Sequence, residues 1–179
     1  TIGIVSGISV ANLATVQNNM IRLGIDATGA SRTTATQYNG ILVASASNIW
    51  HNTVYIGGTG VNTSPATATY AYFSTVTTGT SCVLNNIFMN ARSSASAGGN
   101  HYAIRLNSIT GHTINNNIYY APGAFAGVLG SNNGTDVTSL AAWQGFTSQD
   151  GNSKSADVCL ANPTAGTPDL HLTDCSAAG

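Results

Sequence analysis

The residues able to do chemistry are few in this 179-residue chain, and their spacing is the first thing to read. Glutamate is absent, so the carboxylates are Asp26, Asp136, Asp150, Asp157, Asp169 and Asp174. A glycosidase needs two carboxylates roughly 5–10 Å apart across one sugar. A calcium-assisted lyase needs several converging on one ion, with an Arg or Lys as base. Five of the six lie at or beyond Asp136, and only Asp26 precedes them, so no such set is expected. The histidines, His51, His101, His112 and His171, show no H-x-H or H-E-x-x-H spacing. They read as surface or capping residues. Arg22 and Arg105 could bind sugar acids, although a lone Arg on a strand is more often solvated or paired with a carbonyl. No catalytic residue, cofactor site or metal site is expected.

Cysteine chemistry is equally sparse. There is no C-x-x-C pair, so zinc and redox readings lack support. Cys82 stands alone and reads as a buried small hydrophobe. Cys159 and Cys175 are candidates for a disulfide, which fits an oxidising, extracellular or cell-surface setting.

The elements holding these residues are written in the composition. Only 6% of the residues are charged, against about 25% in a typical soluble domain. Their place is taken by 23 Thr, 18 Ser, 19 Asn and 20 Gly. Long amphipathic helices need Glu, Lys and Leu in quantity, and nucleic-acid binding needs a basic stripe; one Lys and four Arg provide neither. Disorder usually goes with low hydrophobicity and high net charge, whereas here 42% is apolar and the net charge is −1. No apolar run approaches the roughly 20 residues of a membrane helix, so membrane insertion is not expected. The opening Thr1-Ile2-Gly3-Ile4-Val5 is already strand-like and reads as a processed product or a piece of something longer. An all-β chain with many turns is expected.

A repeat organises it. Val16-Gln17-Asn18-Asn19-Met20-Ile21, Trp50-His51-Asn52-Thr53-Val54-Tyr55, Val83-Leu84-Asn85-Asn86-Ile87-Phe88 and Ile114-Asn115-Asn116-Asn117-Ile118-Tyr119 share one pattern. Aligned on their first asparagines, Asn18, Asn52, Asn85 and Asn116, they step by 34, 33 and 31 residues. Stacked in register, those four would form an amide ladder. Apolar columns would flank it, Val16, Trp50, Val83 and Ile114 on one side and Met20, Val54, Ile87 and Ile118 on the other. A strand precedes each motif, and loops poor in large side chains (24–37, 57–69 and 90–100) separate the coils. The expected fold is a right-handed parallel β-helix of about four coils over residues 1–130. Residues 131–179 would form an irregular tail packing on the last coil. It would hold a short helix near 138–144, N-capped by Thr138 or Ser139 and stopped at Gly145, and strands at 157–160 and 169–172.

Ile21, Tyr55, Phe88 and Tyr119 make a further column. Facing outward, it would be an apolar and aromatic stripe for stacking on sugar rings; alternatively it packs beneath a loop or the tail. Thr67-Ala68-Thr69 and Thr75-Val76-Thr77 do not recur on every coil, which argues against an ice-binding face. Asn62 and Asn133 head glycosylation sequons.

The segment Val83-Leu84-Asn85-Asn86-Ile87-Phe88-Met89-Asn90 resembles the NNIF-N signature of bacterial parallel-β-helix-repeat proteins. So do His101-Tyr102-Ala103-Ile104 and Asn116-Asn117-Ile118-Tyr119-Tyr120. The tail pieces Leu140-Ala141-Ala142-Trp143-Gln144, Gln149-Asp150-Gly151-Asn152-Ser153 and Asp169-Leu170-His171-Leu172 are also similar. A departure is Asp157-Val158-Cys159-Leu160, where that family carries a proline and an aromatic. The resemblance spans roughly 40–175 and implies very large secreted or surface-anchored proteins, many exported by the type IX route, most with no assigned activity. The function expected is a non-catalytic extracellular structural or adhesive module, with a carbohydrate-active or glycan-binding domain as the alternative. The partners expected are further coils or self-association at an uncapped N-terminal edge, and glycans.

Overall fold

The computed structural model describes residues 3–64 and 66–175. The first coil holds β1 (Gly3–Val10), β2 (Thr15–Gln17) and β3 (Met20–Leu23). The second holds β4 (Thr36–Val43), β5 (Asn48–Trp50) and β6 (Thr53–Ile56). The third holds β7 (Thr69–Ser74), β8 (Ser81–Leu84) and β9 (Ile87–Asn90), and the fourth β10 (His101–Leu106), β11 (His112–Asn115) and β12 (Ile118–Tyr120). Each strand pairs in parallel with its equivalents in the neighbouring coils, making three sheets in the orders β1-β4-β7-β10, β2-β5-β8-β11 and β3-β6-β9-β12. The fold is a parallel β-solenoid of about four turns.

Stacking puts identical jobs in columns. Val16, Ile49, Val83 and Ile114 face inward from the second sheet, and Ile21, Val54, Phe88 and Tyr119 from the third. Ile8, Ile41, Tyr72 and Ile104 meet them from the first. Tyr72, Phe88 and Tyr119 form a ring ladder at 5.2 and 6.1 Å. Each fully buried side chain of this size contributes about 1.5–3 kcal/mol.

These columns correct the alignment drawn from the asparagines. The stacked asparagines are Asn19, Asn52, Asn86 and Asn117, separated by 33, 34 and 31 residues. Asn18, Asn85 and Asn116 stand one place earlier, share a column with His51, and are exposed. All four have left-handed backbone, φ 55 to 58°. Two adjacent positions therefore do different work: a corner needing positive φ, which Asn and His tolerate better than most residues, and the ladder proper. Where both are Asn the pair is ambiguous; coil two spends His on the corner and breaks the ambiguity. Trp50, Met20, Ile87 and Ile118 accordingly leave the inward columns.

The stripe divides for the same reason. Ile21, Phe88 and Tyr119 are core residues, with Val54 as their coil-two equivalent. Tyr55 belongs with Arg22 and Met89 on the outer face of the third sheet.

After the fourth coil, β13 (Gly127–Asn132) adds a fifth parallel strand to the first sheet. An Asn133-Gly134 turn with φ 48° and 81° reverses the chain, and β14 (Thr135–Val137) pairs antiparallel along that edge. The helix α1 (Leu140–Thr147) is N-capped by Ser139, which accepts from the Ala142 amide, and ends at a left-handed Ser148. Gly145, expected as the stop, lies inside it. Trp143 is fully buried over the end of the core and packs on Gly130, where a Cβ would stand 2.7 Å from the indole ring.

The last hairpin, β15 (Leu160–Asn162) and β16 (Asp169–Leu172), does not stay on the last coil as expected. Leu160 and Leu170 cover Tyr55 and Met89 on the outer third sheet, whose apolar surface attracts them. Its turn reaches coil one, where Arg22 donates to the Ala165 carbonyl. Cys159 and Cys175 form a disulfide, with Cα atoms 5.3 Å apart. Cys82 is half-buried on β8 rather than in the core.

Candidate functional site: the amide ladder and its two ends

The ladder runs the height of the solenoid with a fixed polarity. Each asparagine donates its backbone N–H and its Nδ2 to the Oδ1 of the asparagine above. Asn52 reaches Asn86 in this way at 3.0 and 3.0 Å, and Asn86 reaches Asn117 at 2.9 and 3.0 Å. Nδ2 also donates to the carbonyl two residues back in its own coil and to a carbonyl of the coil below: Asn52 to Trp50 and Val16, Asn86 to Leu84 and Ile49. Asn52, Asn86 and Asn117 are each 1% exposed, so these bonds answer buried backbone groups that water cannot reach.

The upper end is sealed. Ser153 Oγ accepts the Asn117 N–H at 2.8 Å, taking the place of the next amide, and Asp150 Oδ1 lies 3.5 Å from Asn117 Nδ2. Asp150 is itself 1% exposed. Its carboxylate accepts from Trp143 Nε1 at 2.7 Å, from the Tyr119 hydroxyl at 3.1 and 3.2 Å, and from Ser153. Burial, then the Asp150 charge, holds the Tyr119 hydroxyl well above its ordinary pKa, so it remains a donor. Gln149 bridges Ile114 N and His112 O at 2.7 Å each, and Lys154 accepts from Tyr119 N and donates to Asn117 O. Residues 149–154 thus imitate the edge of a further coil. Nothing in the spacing of the aspartates marked Asp150 for this; the signal lay in its nearness to Trp143 and Ser153.

At the lower end β1, β2 and β3 form the outer edge of each sheet. Asn19 is only half-buried, and among the described residues nothing donates to its Oδ1. Ile4, Val5, Leu13 and Met20 are 64, 43, 78 and 52% exposed there.

A second polar cluster pins the loops. Arg92 is fully buried, stacks over Tyr38 at 4.8 Å and donates to the carbonyls of Gly57 (2.9 Å), Arg32 (2.7 Å) and Thr34 (3.4 Å). Burial lowers its pKa. Beside it His101 bonds Thr69 Oγ1 at 2.9 Å and Ser94 Oγ at 3.1 Å. Burial and then the Arg92 charge push its pKa down to about 4, so the ring is neutral at pH 7. His112 is also buried, against Ser74 at 3.1 Å, with its pKa lowered by burial. His101 and His112 are therefore interior residues, contrary to the expectation for all four histidines.

The other candidates are dispersed. Asp26 caps its own loop by accepting from Thr28 and Ala30, which lowers its pKa. Asp136 accepts from Asn100 and Tyr102, and Asp169 from His171. Arg105 lies across Phe73 and Tyr70 at 5.3 and 5.4 Å on the first sheet, whereas Arg22 is on the third. Asp157 and Asp174 do share a cavity, about 560 Å³, between the outer third sheet and the disulfide-closed tail, with Tyr55, Met89, Tyr120 and Leu160 as its apolar walls. Among the described residues no three His, Cys or Asp side chains gather as a metal would require.

Comparison with protein-family models, with curated proteins and with solved structures returns no match.

Proposed function

We propose that the chain is a non-catalytic structural module of an extracellular solenoid, a segment of a bacterial surface or filament-forming protein that serves as stalk, coat or adhesin. The observation that carries this reading is the contrast between the two ends. One is closed by Trp143, β14 and the 149–154 pseudo-coil, while the other presents three strand edges and exposed Ile4, Val5, Leu13 and Met20. A solenoid terminates stably only behind a cap, and an open edge pairs with other strands. The near absence of charge, the Thr- and Ser-rich surface and the disulfide suit a weakly interacting shell outside the cell. Coils of the same polypeptide, a second subunit or self-association would cover the open edge, and export by the type IX route would follow from the family resemblance. Sedimentation velocity with hydrogen exchange tests this. The isolated chain should self-associate; a stable monomer whose β1 amides are already protected would refute it.

The shared cavity favours a second reading, glycan binding. Tyr55 and Tyr120 beside Asp157 and Asp174 combine ring and carboxylate groups as sugar sites do. Titration with neutral and uronic-acid oligosaccharides should shift Tyr120 resonances if it holds. Hydrolysis or elimination that is lost on Asp26→Asn or Arg105→Ala would overturn both readings in favour of an enzyme.

A further inference from the structure

The polarity of the ladder says what the open edge accepts. In the bonds between ladder asparagines the donors point toward the sealed end and the Oδ1 acceptors toward the open end, as those from Asn19 to Asn52 (3.2 and 2.9 Å) and from Asn52 to Asn86 repeat. Asn52 Oδ1 receives two donors from below, and Asn52 Nδ2 finds a carbonyl in the lower coil, that of Val16. Asn19 has neither relation: its side chain donates to Gln17 and Asn52 and, among the described residues, accepts nothing.

We propose that the open edge is a docking surface for one more parallel β-coil bearing its own ladder asparagine. That residue's N–H and Nδ2 donate to Asn19 Oδ1, and the carbonyl three residues before it accepts from Asn19 Nδ2. The docking segment carries the pattern apolar-x-Asn/His-Asn-x-apolar. The second position of that Asn/His-Asn pair is the ladder; the first holds the left-handed corner, as His51 does. Its apolar residues extend the columns of Val16 and Ile21. A second copy of this chain does not meet these terms. Its upper end is occupied by Ser153 and Asp150, so only two open ends could meet, and there the backbone N–H of each Asn19, already donated to Asn52 Oδ1, does not reach the other copy's Oδ1. Association of the free chain is then the non-specific pairing of exposed edges rather than a closed dimer. This inference rests on the module reading above.

The test fuses a copy of residues 34–64 ahead of Thr1, a 31-residue step like that from Asn86 to Asn117. Hydrogen exchange of the β1 and β2 amides is compared among the free chain, the fusion, and the fusion carrying Asn→Ala at the copied Asn52. The fusion should slow the edge amides and abolish self-association. The Asn→Ala change should return about 30-fold of that protection, the equivalent of two ordinary hydrogen bonds. Equal protection with and without the asparagine overturns the ladder inference while leaving the module reading intact. A copied coil that adds no β signal in circular dichroism shows that the edge refuses a parallel coil, and overturns the inference. A discrete dimer of the free chain with protected β1 amides overturns it in favour of self-pairing. A protected monomer defeats the module reading itself.

Discussion

Replacing Asn86 by alanine separates the ladder from the corner beside it. The two hydrogens of Asn86 Nδ2 serve Asn117 Oδ1, Leu84 O and Ile49 O, one of them shared between two acceptors, and its Oδ1 accepts from Asn52 N and Nδ2, all at 2.8 to 3.0 Å. With the residue 1% exposed, water does not replace them. At about 1 kcal/mol net per bond, less for atoms that keep a second partner, the loss is about 3–5 kcal/mol. Asn85→Ala touches an exposed residue whose burden is a φ of 58°. Its penalty is the left-handed strain of a residue with a Cβ and no amide, about 1 kcal/mol. Asn19→Ala, at the half-solvated end, should also cost about 1 kcal/mol, since water substitutes for the missing partners. Urea unfolding followed by far-ultraviolet circular dichroism measures all three, with the slope checked for constancy so that midpoint shifts report stability. The reasoning fails if Asn85→Ala destabilises more than Asn86→Ala, or if Asn19→Ala and Asn86→Ala are equal.

Acid should weaken the fold through His101. Its folded pKa of about 4 lies below the ordinary 6.5, so the unfolded chain binds the proton first. Stability is therefore full above about pH 6.5, falls as pH drops toward 4, and loses up to about 3 kcal/mol on the way. Urea midpoints between pH 7.5 and 4 measure this, and His101→Gln should reduce the loss, leaving the share of His112, whose pKa burial also lowers; an undiminished loss in that variant would acquit His101. Trp143→Ala removes a fully buried ring and the Nε1 bond to Asp150, and should cost about 3–5 kcal/mol. Exchange should then accelerate first at β12 and β13, and uniform acceleration would argue against a local cap. Reducing the 16-residue disulfide loop should cost the tail about 3 kcal/mol. Iodoacetamide labelling with proteolysis should show residues 155–175 released while the coils persist. Loss of the coils as well would mean that the hairpin holds the solenoid together.

A polypeptide with almost no charge, apolar residues at alternate positions and a recurring Asn-Asn step has few ways to bury its backbone, and the parallel solenoid of about four turns follows from that local pattern. Period-two alternation and the 31–34-residue recurrence are properties of the chain itself, readable before any folding. Which asparagine of each pair joins the ladder is not such a property. Asn18 and Asn19 are chemically identical, and only stacking on Asn52, whose predecessor is His51, assigns one to the corner and the other to the core. Tyr55 and Phe88 exchange roles by the same one-residue step, because a shift of one turns a strand's side chains to the opposite face. Asp150 and Arg92 belong wholly to the tertiary structure. A buried carboxylate or guanidinium is tolerable only where donors or carbonyls converge on it from distant segments, here Tyr119, Trp143 and Ser153 around the first and Arg32, Thr34 and Gly57 around the second. No local pattern encodes that convergence, because it is made by the stacking of coils some 30 residues apart in the chain.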